Sequence, residues 1–177
     1  MLKLLGWLDR VSDLAARAGA LLICVIGAML LYEVAARYLF LAPTSWAEEL
    51  SRLFQVWAIF LAVAYLLKGD HLITIDVLTR KLGPRGRRIQ RLCVLLLILA
   101  FSVVAIVWGI GIVADSLRLG RAQSGMLGSP TWIGEIAIPL GFGLLSLQAL
   151  GEIARLFLPG AARPEWEQDP DDLGSHA

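Results

Sequence analysis

Between Leu92 and Ala114 the chain runs for 23 residues without a charged side chain. A helix of that length covers about 34 Å at about 1.5 Å per residue, enough to cross a hydrocarbon core of about 30 Å. Three shorter runs repeat the pattern, Ala18–Tyr32, Leu53–Leu67 and Ile136–Gly151, each of 15 to 16 residues. These fall short of the roughly 20 that a span needs. They become long enough if flanking Arg17, Glu33, Arg37, Arg52, Glu135 or Glu152 lies at the headgroup level, where long side chains can snorkel. The expected fold is therefore all-α, an integral membrane bundle of four transmembrane helices within residues 1–158. The spans are expected at about 14–38, 46–67, 89–114 and 131–156.

Composition closes off the other classes. The chain is 58% apolar and 18% charged, with a mean hydropathy of +0.71. Soluble domains run at about 45–50% apolar and about 25% charged. A chain this short exposes too much of its surface to hide that excess in one core. A soluble globule, a disordered chain and a nucleic-acid binder are all excluded. Two spans plus buried soluble helices would need a polar domain to bury them, and the sequence offers none. Cys24 and Cys93 lie within or beside apolar runs and form neither a metal spacing nor a disulfide framework. His71 and His176 fall outside the runs, which argues against haem held between membrane helices. No cofactor is expected.

Basic residues set the expected orientation. Lys3, Arg10 and Arg17, then Lys68, Arg80, Lys81, Arg85, Arg87, Arg88 and Arg91, then Arg155 and Arg163 place twelve on one side. Arg37, Arg52, Arg118 and Arg121 leave four on the other. The first side should be cytoplasmic, with both termini inside. Val34-Ala35-Ala36 resembles a signal-peptide cleavage site, but the lead-in is long and holds Asp9 and Asp13, and Glu33 interrupts the approach. An N-terminal interfacial helix is the preferred reading. Leu4, Leu8, Val11 and Ala15 share one face of it, and Asp13 to Arg17 has the spacing of an i,i+4 pair. A second amphipathic segment carries Leu72, Ile75, Leu78 and Leu82 on one stripe and ends at Gly83-Pro84. The basic run after it reads as positive-inside anchoring, with docking to a partner or anionic lipid as the alternative. Residues 159–177 form an acidic stretch expected to be a disordered cytoplasmic tail.

The spans carry little that could move a solute. Their charge-free stretches hold Gln55, Ser102, Ser146 and Gln148 as conspicuous polar side chains and no carboxylate. A pathway for ions or charged solutes normally needs polar groups near the midplane. Pro139 with Gly141 and Gly143 favours a kink in the fourth span, which reads first as packing. No nucleophile with its base and no phosphate loop is present, so an enzyme is not expected. Small residues four apart, Ala15 and Gly19, Ala58 and Ala62, Ala105 and Gly109, Ala137 and Gly141, would allow close helix approach in lipid.

The most specific stretch joins spans one and two. Glu33 and Arg37 form an i,i+4 pair, and Pro43 breaks the first helix. Ser45 to Glu48 matches a capping box, so span two should start there. Glu48 and Glu49 sit in its first turn, where the helix dipole favours acids, and Arg52 can pair with either. Tyr32, Tyr38, Phe40 and Trp46 suit an aromatic belt. Together they suggest a polar clasp in which Glu48, Glu49, Arg52 and Arg37 hold two helix ends in register.

The run Arg37-Tyr38-x-Phe40, then Pro43, then Trp46-x-Glu48-Glu49-Leu50-x-Arg52, resembles the signature of the small membrane subunit of TRAP transporters, the DctQ-like family. The resemblance continues through Trp57, Lys68-Gly69-Asp70-His71-Leu72, Asp76, Ser129-Pro130 and Ile138-Pro139-Leu140-Gly141. It covers roughly Glu33 to Gly151. It implies a large multi-span permease subunit as partner, a periplasmic solute-binding protein that delivers an organic acid, and uptake driven by an ion gradient. The small subunit would brace the large one and help form the docking surface, in the bacterial inner membrane. Two readings compete with it. A self-sufficient homo-oligomeric four-span transporter or channel would need a polar pathway. A membrane redox enzyme would need paired cysteines in the outer loops.

Overall fold

The computed structural model describes residues 2–42, 44, 46–68, 84–123, 125 and 128–157. Its elements are α1 (Leu2–Leu39), α2 (Trp46–Leu67), α3 (Pro84–Leu119), the single turn α4 (Trp132–Glu135) and α5 (Ala137–Phe157). Among the described residues, four helical stretches are long and apolar enough to cross a membrane: Leu5–Leu39, Trp46–Leu67, Arg85–Leu119 and Trp132–Phe157. The chain is an all-α, multi-pass membrane protein. Pro43, Ser45, His71, Asp76, the stripe Leu72 to Leu82 and the acidic stretch from 159 lie outside the described residues.

The helices differ in reach. The 22 residues of α2 and 21 of α5 give about 33 and 32 Å, close to one bilayer core. The 38 residues of α1 and 36 of α3 give about 57 and 54 Å, so both overrun it. α1 departs from the expected interfacial helix followed by a separate span. It is one unbroken helix, and its first turns bury Leu5, Ser12 and Ala15. Leu5 and Leu8 pack toward Gly151 of α5. The segment is therefore covered by protein along this face.

Packing is open rather than cyclic. α1 lies along α2, α2 along α5, and α5 along α3; α1 and α3 share no extensive contact. Small residues set the close approaches. A Cβ on Gly19 would stand 2.8 Å from the Ala58 carbonyl oxygen, and one on Gly141 would stand 2.6 Å from the Phe60 Cβ. Gly109 faces Pro139, whose Cδ would lie 3.2 Å from an added Cβ. Only near-absent side chains let helices come this close in lipid, where dispersion replaces the hydrophobic drive. A cluster of Leu67, Leu95, Leu145 and Ala149 closes α2, α3 and α5 together. Phe142 meets Phe60 and Phe101 edge-on, with ring centroids 5.6 Å apart in both pairs.

Two helix ends have local causes. α1 stops at Leu39, four residues before Pro43, because Leu41 turns the chain at φ 53°. The Ala36 carbonyl accepts from the Phe40 N–H at 3.2 Å and from the Ala42 N–H at 3.1 Å. A leucine in the left-handed region costs about 1 kcal/mol or more. The fourth span is broken at Ile136. Pro139 has no N–H to offer the Glu135 carbonyl, and its ring crowds that same group.

Candidate functional site

Polar side chains gather at the two ends of the bundle. At the end where α2 begins, Arg37 pairs with Glu33 and Arg52 pairs with Glu48. Both pairs run along one helix, at i,i+4. This corrects the expected clasp: neither arginine reaches across from one span to the other in these pairs. Each local partner is one turn away and costs no helix movement to reach. The helix ends are instead joined by the Tyr32 and Trp46 rings, 6.0 Å apart. Tyr38 stands exposed beyond them.

Glu49 does what the clasp was expected to do, with a different partner. Its carboxylate is buried and accepts from both the N–H of Ser129, at 3.1 Å, and the Ser129 hydroxyl. Gly125 lies against it; a Cβ there would come 2.6 Å from the Glu49 Cδ. The loop that carries Ser129 folds back on itself, with the Gln123 N–H on the Ser129 carbonyl at 2.9 Å and the Thr131 N–H on the Arg121 carbonyl at 3.1 Å. Glu49 thereby anchors the α3–α4 loop to the first turn of α2. About two turns deeper, the Trp57 indole N–H donates to the Ile133 carbonyl at 3.1 Å, beside the break in the fourth span. Two parts of the resemblance far apart in sequence, Glu49 and Ser129-Pro130, thus meet in space. Pro139 and Gly141 lie deeper still, against Gly109 and Phe60, and do not join this cluster.

The opposite end holds a larger network that the sequence reading missed. The Ser12 hydroxyl donates to the Gln148 side-chain oxygen at 3.1 Å, and the Gln148 amide donates to Asp9 at 3.2 Å. Arg155 bridges Asp9 and Glu152, the latter at 2.7 Å. Arg91 of α3 reaches Glu152 at 3.2 Å. Lys68, just past α2, pairs with Asp13 at 2.6 Å. This overturns the expected Asp13 to Arg17 pair. Gln148 is 2% exposed and Ser12 3%. Three acids and three bases balance, so the network carries no net charge into the bundle, and every member named has a partner. In the sequence Arg91, Lys68 and Arg155 count toward orientation, with nothing in their spacing to pair them with Glu152, Asp13 and Asp9.

The described helices thus define a class: a multi-pass membrane protein with a polar network that ties helices together at one end and a buried carboxylate that ties down a loop at the other. Residues 26–158 match the family described as "Tripartite ATP-independent periplasmic transporters, DctQ component". The chain belongs to this family. It is also 26% identical, over 155 residues, to the isethionate TRAP transporter permease protein DctMQ of Oleidesulfovibrio alaskensis. That alignment takes in 85% of this chain but spans only 24% of the relative's length. The family match begins after Asp9, Ser12 and Asp13, so the α1 half of the polar network lies ahead of it.

Proposed function

We propose that this chain is the small membrane subunit of a TRAP transporter, which braces a large permease subunit and helps dock a periplasmic solute-binding protein. The observation that carries the reading is where the polar groups go. No Asp, Glu, Lys or Arg occurs within 18–32, 53–67, 92–114 or 136–151, and the charged groups that reach across the bundle at its ends hold helices and a loop. A solute pathway needs polar groups free to meet cargo near the midplane; a bracing subunit does not. The relative supports a close partner, since its single chain is named for M and Q components together and is about four times as long as the matched part. Its name also favours a small organic acid as cargo, with an ion gradient as the driving force.

In this reading residues 1–158 form the membrane unit, in the bacterial inner membrane with both termini cytoplasmic. The Glu49 end then faces the periplasm, and the loop pinned at Ser129 is presented to the binding protein. Glu33, Arg37, Tyr38, Pro43, Trp46, Glu48, Glu49, Arg52, His71, Asp76, Pro139 and Gly141 are the residues proposed to shape the bundle and its partner surface. The test is reconstitution. The large subunit with this chain and the binding protein should take up an organic acid under an ion gradient, and omission of this chain should abolish uptake. Transport by this chain alone in vesicles would overturn the reading in favour of a homo-oligomeric transporter.

A further inference from the structure

α2 lies between α1 and α5. Beyond Trp46 at its start, its exposed residues are Glu48, Arg52, Gln55, Ile59 and Leu66. Their spacing of four, three, four and seven places them on one narrow stripe. The stripe is polar in its first half. Counting back about 20 residues from Leu67, the length of one bilayer core, reaches Glu48. Gln55 therefore lies at the depth of acyl chains, while Arg52, one turn nearer the boundary, can snorkel to the headgroups and is 70% exposed in its side chain.

Arg52 and Glu48 neutralise each other, but Gln55 has no hydrogen-bond partner among the described residues. Acyl chains offer neither donor nor acceptor, so an outward carboxamide at this depth is costly in lipid. α3 presents a face that acyl chains alone would satisfy. Leu96, Leu97, Phe101, Val103, Val104, Val107 and Ile110 are all exposed and all apolar.

We infer that the Glu48–Arg52–Gln55–Ile59 stripe is the face of α2 that receives a transmembrane helix of the large permease subunit. The partner helix carries a hydrogen-bonding side chain or an unwound carbonyl at the depth of Gln55. The inference rests on the proposed partnership and adds where it occurs. A second copy of this chain fits less well, because a twofold axis along the stripe would set Arg52 beside Arg52 and Glu48 beside Glu48 at equal depth. Lipid leaves Gln55 unsatisfied.

The test places a photo-crosslinking amino acid at position 55, or at 104 on the apolar face of α3, in the full chain co-expressed and purified with the large subunit. Position 55 should give an adduct with the large subunit in clear excess over position 104. In a complex that co-purifies, equal or reversed yields, or an adduct of two copies of this chain at 55, would overturn the inference and leave the partnership standing. Failure of the large subunit to co-purify at all would overturn the partnership itself. As a second measure, Gln55→Leu removes one interhelical hydrogen bond. It should lower recovery of the large subunit about threefold, as a single such bond in lipid is worth, while Val104→Ala leaves recovery unchanged. Unchanged recovery with Gln55→Leu would count against the inference.

Discussion

At the Gln148 end, Asp9, Asp13, Glu152, Lys68, Arg91 and Arg155 come from four parts of the chain and neutralise one another across helices. At the Glu49 end, the two Glu–Arg pairs stay within their own helices, and Glu49 is the carboxylate that reaches across, to a loop, among the described residues. The first end is a knot of long-range bonds that fixes how helices sit relative to one another. The second leaves charge on display; its carboxylate across the bundle fixes a loop, and its helices meet through the Tyr32–Trp46 rings and the Trp57 bond to Ile133. A surface offered to another protein needs groups that are held in shape yet not used up. The Glu49 end has them, and the Gln148 end has turned its own inward.

Four variants probe that contrast, and detergent-solubilised thermal unfolding reads all of them. Glu152→Ala should have the largest effect. It leaves Arg91 and Arg155 without their shared carboxylate at a site where Glu152 is 5% exposed. Breaking a buried pair in this way costs about 3–5 kcal/mol, and a loss below that of every Glu49-end variant would erase the contrast. Glu49→Ala comes next, at about 1–3 kcal/mol for the Ser129 groups left without an acceptor. Its distinguishing readout is faster proteolysis within the α3–α4 loop, with the helices intact. Lys68→Ala should cost less, about 1 kcal/mol, because the Lys68 to Asp13 pair is partly open to solvent. The double variant Lys68→Asp with Asp13→Lys should recover most of it, and no recovery would mean that the two residues do not act as a pair. Arg52→Ala should have the smallest effect, within about 0.5 kcal/mol, since the pair stays within one helix and Glu48, at the boundary of the span, turns to headgroups and water when Arg52 is gone. A large destabilisation there would show that the Glu49 end, too, is a structural knot.

The parts of this design that run along one helix were legible in the sequence. Glu33 with Arg37 and Glu48 with Arg52 follow from spacing alone, and the four spans follow from their charge-free runs. Local spacing also misled: Asp13 has Arg17 one turn away, yet bonds to Lys68, 55 residues on. No spacing rule reaches that far. The network had a second disguise, because lipid inverts the usual pattern of burial. In water, apolar residues mark the core face of a helix. In α1 the buried seam steps by seven through Leu5, Ser12, Gly19, Ile26 and Glu33, and through Leu8, Ala15, Leu22, Met29 and Ala36. Small and polar residues hold its tightest places, while Leu14, Leu21 and Leu31 stand exposed. Reading small and polar residues as the contact face, at that seven-residue step, would have found Ser12 and Glu33 and pointed to Gln148 as their counterpart in the fourth span.

The crossing of Gly19 over Ala58 has a mechanical consequence. It falls 17 residues from Leu2 and 20 from Leu39, about 26 and 30 Å along the helix axis, so it divides α1 into two nearly equal arms. With no proline inside it, the helix is one stiff rod, held along its seam from Leu5 to Ala36 and drawn closest to its neighbour at this crossing. A tilt about that point would swing Asp9, about 15 Å away, and Glu33, about 21 Å away, in opposite directions. What grips one arm thereby sets the angle of the other.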